Sequence, residues 1–338
     1  MRSATLYGYS VPMDAGVVLR NPLLNSRDGL VAVLQHNGRI GMGEIAPLPG
    51  FSLETLAEAK AASCGMLDAW VTREPVDRAA NQAPLMGLTD GNATPPSVAF
   101  GISCALAELA GQLPEMNTWL TVPLCTRDPD MLLPILLGQP GKKQAKMKVG
   151  MHDVIHDSQV VNRLLAAVPD LYLRLDANRR WTPDKAAYFA QHLDPSVIRR
   201  IDFIEEPCVT PDQSLAFAQN TGIPIAWDES AREPGFQLVA QPGVAALVIK
   251  PSLTGSLCLC RSLILQAQRA GLSAVISSAI ESSLGLSQLS RLAGWLTPRV
   301  LPGLDTLSLM GSQLIRPWPG SRLPLITLDQ LAPIATFS

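Results

Sequence analysis

Two lysines two positions apart, Lys146 and Lys148 in "AKMKVG", open a series of residues whose types could do chemistry together. The series continues with Asp176, Glu205, Asp228, Lys250 and Ser277, at intervals of 22 to 29 residues from Lys148 onward. Each interval is about the length of one strand-plus-helix repeat, and each residue stands late in, or just after, an apolar segment of strand character. A barrel built from such repeats brings strand C-terminal ends to one rim, where barrels of this kind do their chemistry. Three carboxylates gathered there repel one another unless positive charge lies among them. An all-oxygen ligand set favours a hard cation, Mg2+ or alternatively Mn2+. To act as a base near neutral pH, a lysine must drop from about 10.4 to roughly 7 to 8, a change that a nearby ammonium and a divalent cation can supply. Side chains alternate faces along a strand, so Lys146 and Lys148 share one surface, and Lys146 is suited to that supporting role.

These residues need elements to position them. "GLVAVLQHNGRIGMGEI" places an Asn37-Gly38 turn between two extended stretches and predicts an antiparallel β unit near the N-terminus. "LETLAEAKAASCGMLDAWV" has apolar residues at helical spacing, with Ser52 as its expected cap. The polar stretch "TREPVDRAANQAPLMGLTDGNATPPS" then reads as an internal boundary. From residue 96 onward, strand-like segments ("TWLTVPL", "KMKVG", "LYLRLDAN", "DFIEEP", "IPIAWDES", "ALVIKPS", "SAVISSAI") alternate with segments of helical periodicity. Such alternation implies a parallel sheet. The Pro-rich, extended end, "QLIRPWPGSRLPLITLDQLAPI", is expected to return to the N-terminal domain. The expected fold is α/β: a modified TIM barrel, (β/α)7β, over residues 96–302, with an α+β capping domain over 1–95 completed by about 303–338.

Composition bounds the function. The chain has 338 residues, 47% of them hydrophobic, and a formal net charge of −2, which argues against a nucleic-acid partner. No apolar run approaches the roughly 18 residues of a membrane span, and the N-terminus lacks the apolar core of a signal peptide, so the expected location is the cytoplasm. The expected partner is a small-molecule substrate, with no membrane and no nucleic acid; oligomeric state is not legible, and a monomer is favoured. The six cysteines form no C-x-x-C pair and read as reduced thiols. His152 and His156 in "HDVIH" have helical i, i+4 spacing but lack the intervening Glu of a metalloprotease helix, and read as surface or helix-start residues.

"KMKVG", "LRLDANRRW", "IEEPC", "IAWDES", "VIKPSLTGSL" and "ISSAIESSLG" together resemble the enolase superfamily, and within its muconate-lactonizing-enzyme-like subgroup the o-succinylbenzoate synthases of menaquinone biosynthesis. "PMDAGVVLR", "RDGL", "GEIAPLPGFSLET", "PSVAFGISCALAEL" and "GLDTLSLM" extend the similarity to nearly the whole chain. The resemblance implies that Asp176, Glu205 and Asp228 bind Mg2+, that Lys148 serves as general base and acid, and that Lys250 is the opposing lysine. The implied reaction is dehydration of 2-succinyl-6-hydroxy-2,4-cyclohexadiene-1-carboxylate (SHCHC). Arg174, Asn178 and Ser277 are implied substrate contacts, and the "PLPGFS" loop, with Pro49, Gly50, Phe51 and Ser52, an implied lid. One departure stands in "ISSAIESS": Ala279 occupies a position where the family often has Ser, which puts a side-chain contact there in doubt.

Two other chemistries fit parts of this pattern. An N-acylamino acid racemase or dipeptide epimerase of the same superfamily would use the same two lysines, one on each face of the substrate. A Schiff-base aldolase would use Lys148 or Lys250 covalently and need no metal. A barrel retained only as a binding module would tolerate loss of Lys148.

Overall fold

The computed structural model describes residues 1–13, 24–72, 94–115, 120–125, 129–139 and 143–338. The boundary stretch expected after residue 72, most of "PMDAGVVLR" and the start of "TWLTVPL" lie outside the described residues. By packing, the chain forms two units: Met1–Leu120 with Ile249–Ile264 and Ile276–Ser338, and Thr121–Val248 with Leu265–Val275.

The first unit is built on an antiparallel sheet. Strands β1 (Arg2–Pro12), β2 (Ser26–His36) and β3 (Arg39–Ile45) follow one another, and the C-terminal strand Pro333–Phe337 pairs with β1 on the outer side. The chain end thus returns to the N-terminal sheet as its extended, Pro-rich composition implies. His36 faces Arg39 across the β2–β3 turn, and Asn37 and Gly38 both take positive φ (52° and 75°), the conformation that a two-residue hairpin requires. Helices α1 (Leu56–Thr72) and α2 (Pro96–Leu109) supply Ala59, Leu67, Val98, Ile102 and Ala105 to a core with Leu6, Leu30, Leu34 and Ile45. Helix α2 and β3 approach so closely that a methyl group at Gly43 would collide with the Gly101 carbonyl.

The cap of α1 is not the expected Ser52. Glu58 N–H donates to Thr55 Oγ1 at 3.3 Å, and Thr55 N–H donates to Glu58 Oε2 at 2.8 Å, a reciprocal box. Ser52 Oγ instead accepts the Leu48 N–H at 2.8 Å, while the N–H groups of Phe51 and Ser52 donate to the Leu48 carbonyl. The Pro47–Ser52 loop is therefore a closed turn, with Gly50 at a φ of 80°.

The second unit is built on a parallel sheet of seven strands in sequential order: β4 (Leu124–Cys125), β5 (Lys143–Lys148), β6 (Leu171–Asp176), β7 (Ile201–Glu205), β8 (Ile225–Trp227), β9 (Val244–Ile249) and β10 (Ser273–Ile276). A parallel bridge between Ser277 and Gly303 extends the series once more, giving the arrangement of a (β/α)7β barrel. The connecting helices Val154–Ala167, Pro183–Gln191 and Pro211–Thr221 start where the sequence supplies caps. The side chains of Asp153, Thr182 and Thr210 each accept a backbone N–H of the following turn, and Pro183 and Pro211 occupy the first helical position. Asp153 thereby splits the "HDVIH" pair: His152 precedes its helix and His156 lies within it. No helix of the described residues is long and apolar enough to cross a membrane.

Candidate active site

Parallel pairing sets the first row of the site. Lys148 on β5 is the register partner of Asp176 on β6, and Asp176 is the partner of Glu205 on β7. One layer beneath, Lys146 pairs with Arg174, and Arg174 with Phe203. Side chains two apart on a strand share a face, so both layers project to the same side. From the lower layer Lys146 reaches up: its Nζ lies 3.0 Å from Asp176 Oδ2 and 2.6 Å from Glu205 Oε2. Both carboxylates are almost wholly buried. Burial acts to lower the Lys146 pKa, but the charges and hydrogen bonds of Asp176 and Glu205 outweigh it, so the ammonium is held well above its ordinary value. Lys146 stays charged, as expected, yet most of its charge is matched by two acids, which leaves less of it to act on Lys148.

Lys148 Nζ donates to Asn178 Oδ1 at 2.7 Å. Asn178 in turn donates its backbone N–H to Asp176 Oδ1 (3.1 Å) and its amide to Glu229 Oε1 (3.4 Å), so one residue links the candidate base, a candidate ligand and the strand-β8 turn. Asp228 follows β8 directly, is buried, and holds Arg232 Nη1 at 2.6 Å through Oδ1. Arg174 sits in the lower layer, with its guanidinium over the Phe203 ring and 3.8 Å from Asp202, and burial lowers its pKa.

Sequence reasoning missed Glu206. This carboxylate is fully buried; Oε1 accepts the N–H groups of Asp228 (3.0 Å) and Ser230 (2.8 Å), and Oε2 accepts Ser230 Oγ (2.9 Å) and Arg179 Nε (3.1 Å). Glu206 thus ties the ends of β6, β7 and β8 together. Asn178, Arg179 and Glu206 all have left-handed backbone (φ 45°, 59° and 40°), strain of the sort that clusters where residues must be aimed. The signal was present as the Glu205-Glu206 doublet. Glu206 stands just past the end of β7 on left-handed backbone, and its carboxylate bonds a different set of partners from that of Glu205.

Lys250, Ser277 and the Pro47–Ser52 loop belong to the first unit. Lys250 precedes the short helix Pro251–Thr254 as its N-terminal flanking residue. Ser277 is buried; its N–H donates to the Ile249 carbonyl and its Oγ to the Gly303 carbonyl at 3.3 Å. The next three N–H groups also donate within the protein, Ser278 to Gly303, Ala279 to Glu281 and Ile280 to Ser278 Oγ. Ala279 makes its bond through the main chain, so having Ala where Ser is usual does not remove it.

Among the described residues no three acidic, imidazole or thiol groups form a ready-made metal cage. The donors nonetheless suit a hard cation: they are buried carboxylates at successive strand ends, two of which converge on a point where a positive charge, the Lys146 ammonium, already sits. Lys146 holds oxygens of Asp176 and Glu205, and Arg232 holds one of Asp228.

Known proteins share this architecture. The family described as MenC, N-terminal domain, matches residues 1–109, and that described as Enolase C-terminal domain-like matches residues 136–301. A curated o-succinylbenzoate synthase from Yersinia enterocolitica is 57% identical over 331 residues, covering 98% of each chain. The crystal structure of an o-succinylbenzoate synthase from Thermosynechococcus elongatus BP-1, complexed with Mg in its active site, aligns with a TM-score of 0.70 at 24% identity, over 96% of this chain and 97% of that one. The L-Ala-D/L-Glu epimerase from Bacillus subtilis aligns with a TM-score of 0.72 at 19% identity, over 92% and 91%. The last two likenesses speak to the fold alone.

Proposed function

The chain belongs to the o-succinylbenzoate synthase family, and from that premise we infer that it is a hydro-lyase of menaquinone biosynthesis, converting SHCHC into 2-succinylbenzoate and water. The observation that carries the mechanism is the register row Lys148, Asp176, Glu205 at the ends of three adjacent strands. In this reading Lys148 is the base that removes the ring proton α to the carboxylate. Asn178, at 2.7 Å from its Nζ, holds the amine toward the substrate. The proton gained returns to the departing hydroxyl, and loss of water leaves an aromatic ring, so elimination runs downhill once the C–H bond is broken. Lys250 acts as the second lysine, its ammonium stabilising negative charge in the transition state.

Asp176, Glu205 and Asp228 would hold a Mg2+ ion, with Mn2+ the alternative, which when bound supplies positive charge against the substrate carboxylate. Lys146 supports the two acids from beneath, and Arg174 and Ser277 are the remaining polar groups assigned to the substrate's surroundings. The Pro47–Ser52 turn covers the succinyl tail and excludes water. We place catalysis in residues 96–302 and the α+β domain in 1–95 with 303–338. We take the cytoplasm as the compartment in which the enzyme acts and the monomer as its acting form, the chain's cysteine spacing showing no C-x-x-C pair.

The test is dehydration of SHCHC, followed with and without EDTA. Turnover that EDTA abolishes and Mg2+ restores is the expected result; no turnover with Mg2+ present overturns the reading. Faster exchange of α protons on N-acyl amino acids than turnover of SHCHC would favour the epimerase chemistry instead.

A further inference from the structure

Arg27 lies on β2 and is 1% exposed, and among the described residues its guanidinium donates to backbone carbonyl oxygens. Nε donates to Ile280 O (2.7 Å), Nη1 to Pro47 O (2.7 Å) and Asp28 O (3.3 Å), and Nη2 to the carbonyls of Ala46 and Ala279. One side chain therefore joins the start of the Pro47–Ser52 turn to the serine-rich turn that follows Ser277. The Ile280 it binds is a β-branched residue at a φ of 61°, a conformation that persists only when its surroundings impose it.

The serine-rich turn is gripped from its other side by Glu281, which is also buried. Glu281 Oε2 accepts Ser278 Oγ and the Ala279 N–H, both at 2.7 Å, and Oε1 accepts Ser252 Oγ. Ser252 belongs to the four-residue helix that Lys250 introduces. A continuous set of bonds thus runs from Ala46 and Pro47 through Arg27 to residues 279–280, then through Glu281 to Ser252 and the Lys250 helix. An apolar pair would fill this volume without the cost of removing two charges from water. What the charged pair supplies is geometry: the planar guanidinium offers five donors in a fixed fork, and each carboxylate oxygen accepts in a defined direction.

We propose that Arg27 and Glu281 are positioning residues that form one clamp, coupling the order of the Pro47–Ser52 turn to the placement of Lys250 through the serine-rich turn between them. The proposal rests on the functional reading above only in giving that turn and Lys250 their tasks; the coupling itself is a property of the fold. Arg27→Lys keeps a charge but, with three donors on a flexible stem, cannot span both turns. Glu281→Gln keeps the shape and loses half the acceptor set.

The experiment combines steady-state kinetics on SHCHC with hydrogen exchange of the full-length protein, read by mass spectrometry. In each variant, amides of residues 46–52 and of 251–254 are expected to exchange faster together, while those of α1 stay as in the parent. KM should rise at least about fivefold in Arg27→Lys, and kcat should fall about tenfold or more in Glu281→Gln, because small displacements of a catalytic group are costly. Faster exchange confined to 46–52 in Arg27→Lys and to 251–254 in Glu281→Gln overturns the coupling. So do KM and kcat within twofold of the parent in both variants. If the parent itself fails to turn over SHCHC, the functional reading falls and the exchange pattern alone decides the clamp. If Arg27→Lys does not fold, loosening of residues 46–52 in Glu281→Gln supports the clamp, and its absence rejects it.

Discussion

Lys148 and Asp176 face each other directly in the parallel register of β5 and β6, the lysine closing one strand and the acid the next. Any ion held by the acid is therefore a close neighbour of the amine. This neighbourhood depends on backbone hydrogen bonds instead of flexible side-chain torsions, and it is what the base role proposed for the lysine requires.

Lys148→Ala is expected to lower kcat for SHCHC by about 10²- to 10⁴-fold, the range for loss of a positioned acid–base group. The side chain is exposed and bonds Asn178 at the surface of the row, so the circular dichroism spectrum and Tm should match the parent. Unchanged kcat would show that Lys148 is not the base.

Glu206→Ala removes the acceptor shared by Asp228 N–H, Ser230 and Arg179. The β8 turn then loses its tie to β6 and β7, and calorimetric titration should show Mg2+ affinity falling about 10- to 100-fold, as for loss of groups that orient metal ligands. An affinity within twofold of the parent would show that Asp228 is aimed by something else.

Glu108 lies between Arg291 (2.8 Å) and Arg316 (2.7 Å) and also accepts bonds from Gln288 and the Met42 N–H. Burial acts to raise its pKa, but the Arg316 hydrogen bond and charge, followed by Gln288 and Met42, hold it below the ordinary value. With the folded pKa depressed, its stabilisation is complete above the unfolded value of about 4.3 and disappears as pH falls through the lower, folded one. Glu108→Gln should cost about 2 kcal/mol near pH 7, and its Tm should approach that of the parent as pH falls from about 4.3 through the lower, folded pKa. A gap in Tm that does not change with pH would contradict the assignment.

Gly285 has no room for a side chain: a methyl group there would sit 2.6 Å from Glu44 Oε2 and 2.7 Å from Glu281 Cβ. Glu44 uses that closeness, with Oε2 accepting the Gly285 N–H and Ser282 Oγ at 2.6 Å each. Gly285→Ala, by thermal denaturation, should cost about 1 to 3 kcal/mol. A smaller loss would mean that Glu44 can retreat without penalty.

The barrel was legible because its signals are local. Strand alternation has a period of two, a strand-plus-helix repeat has a characteristic length, and Asn37-Gly38 needs only its own backbone to make a turn. The cap of α1 was misread because Ser52 and Thr55 both precede the apolar run; the Glu58 three residues beyond Thr55 was the deciding mark. Glu206 was half-legible, as the spare member of a doublet. The contacts of Arg27 were not legible: "RDGL" entered only as part of the family resemblance, and the partners Ala279 and Ile280 are some 250 residues away in the chain.

By itself the sequence determined which groups stand at strand ends and in what order, since periodicity and repeat length belong to the chain. Tertiary structure decided which charges meet. Lys146 was placed against Asp176 and Glu205, Arg232 against Asp228, and Arg27 against two distant turns. The physical reason is range: backbone conformation follows from neighbours in sequence, whereas an ion pair or hydrogen bond forms only when folding brings its atoms within a few ångströms.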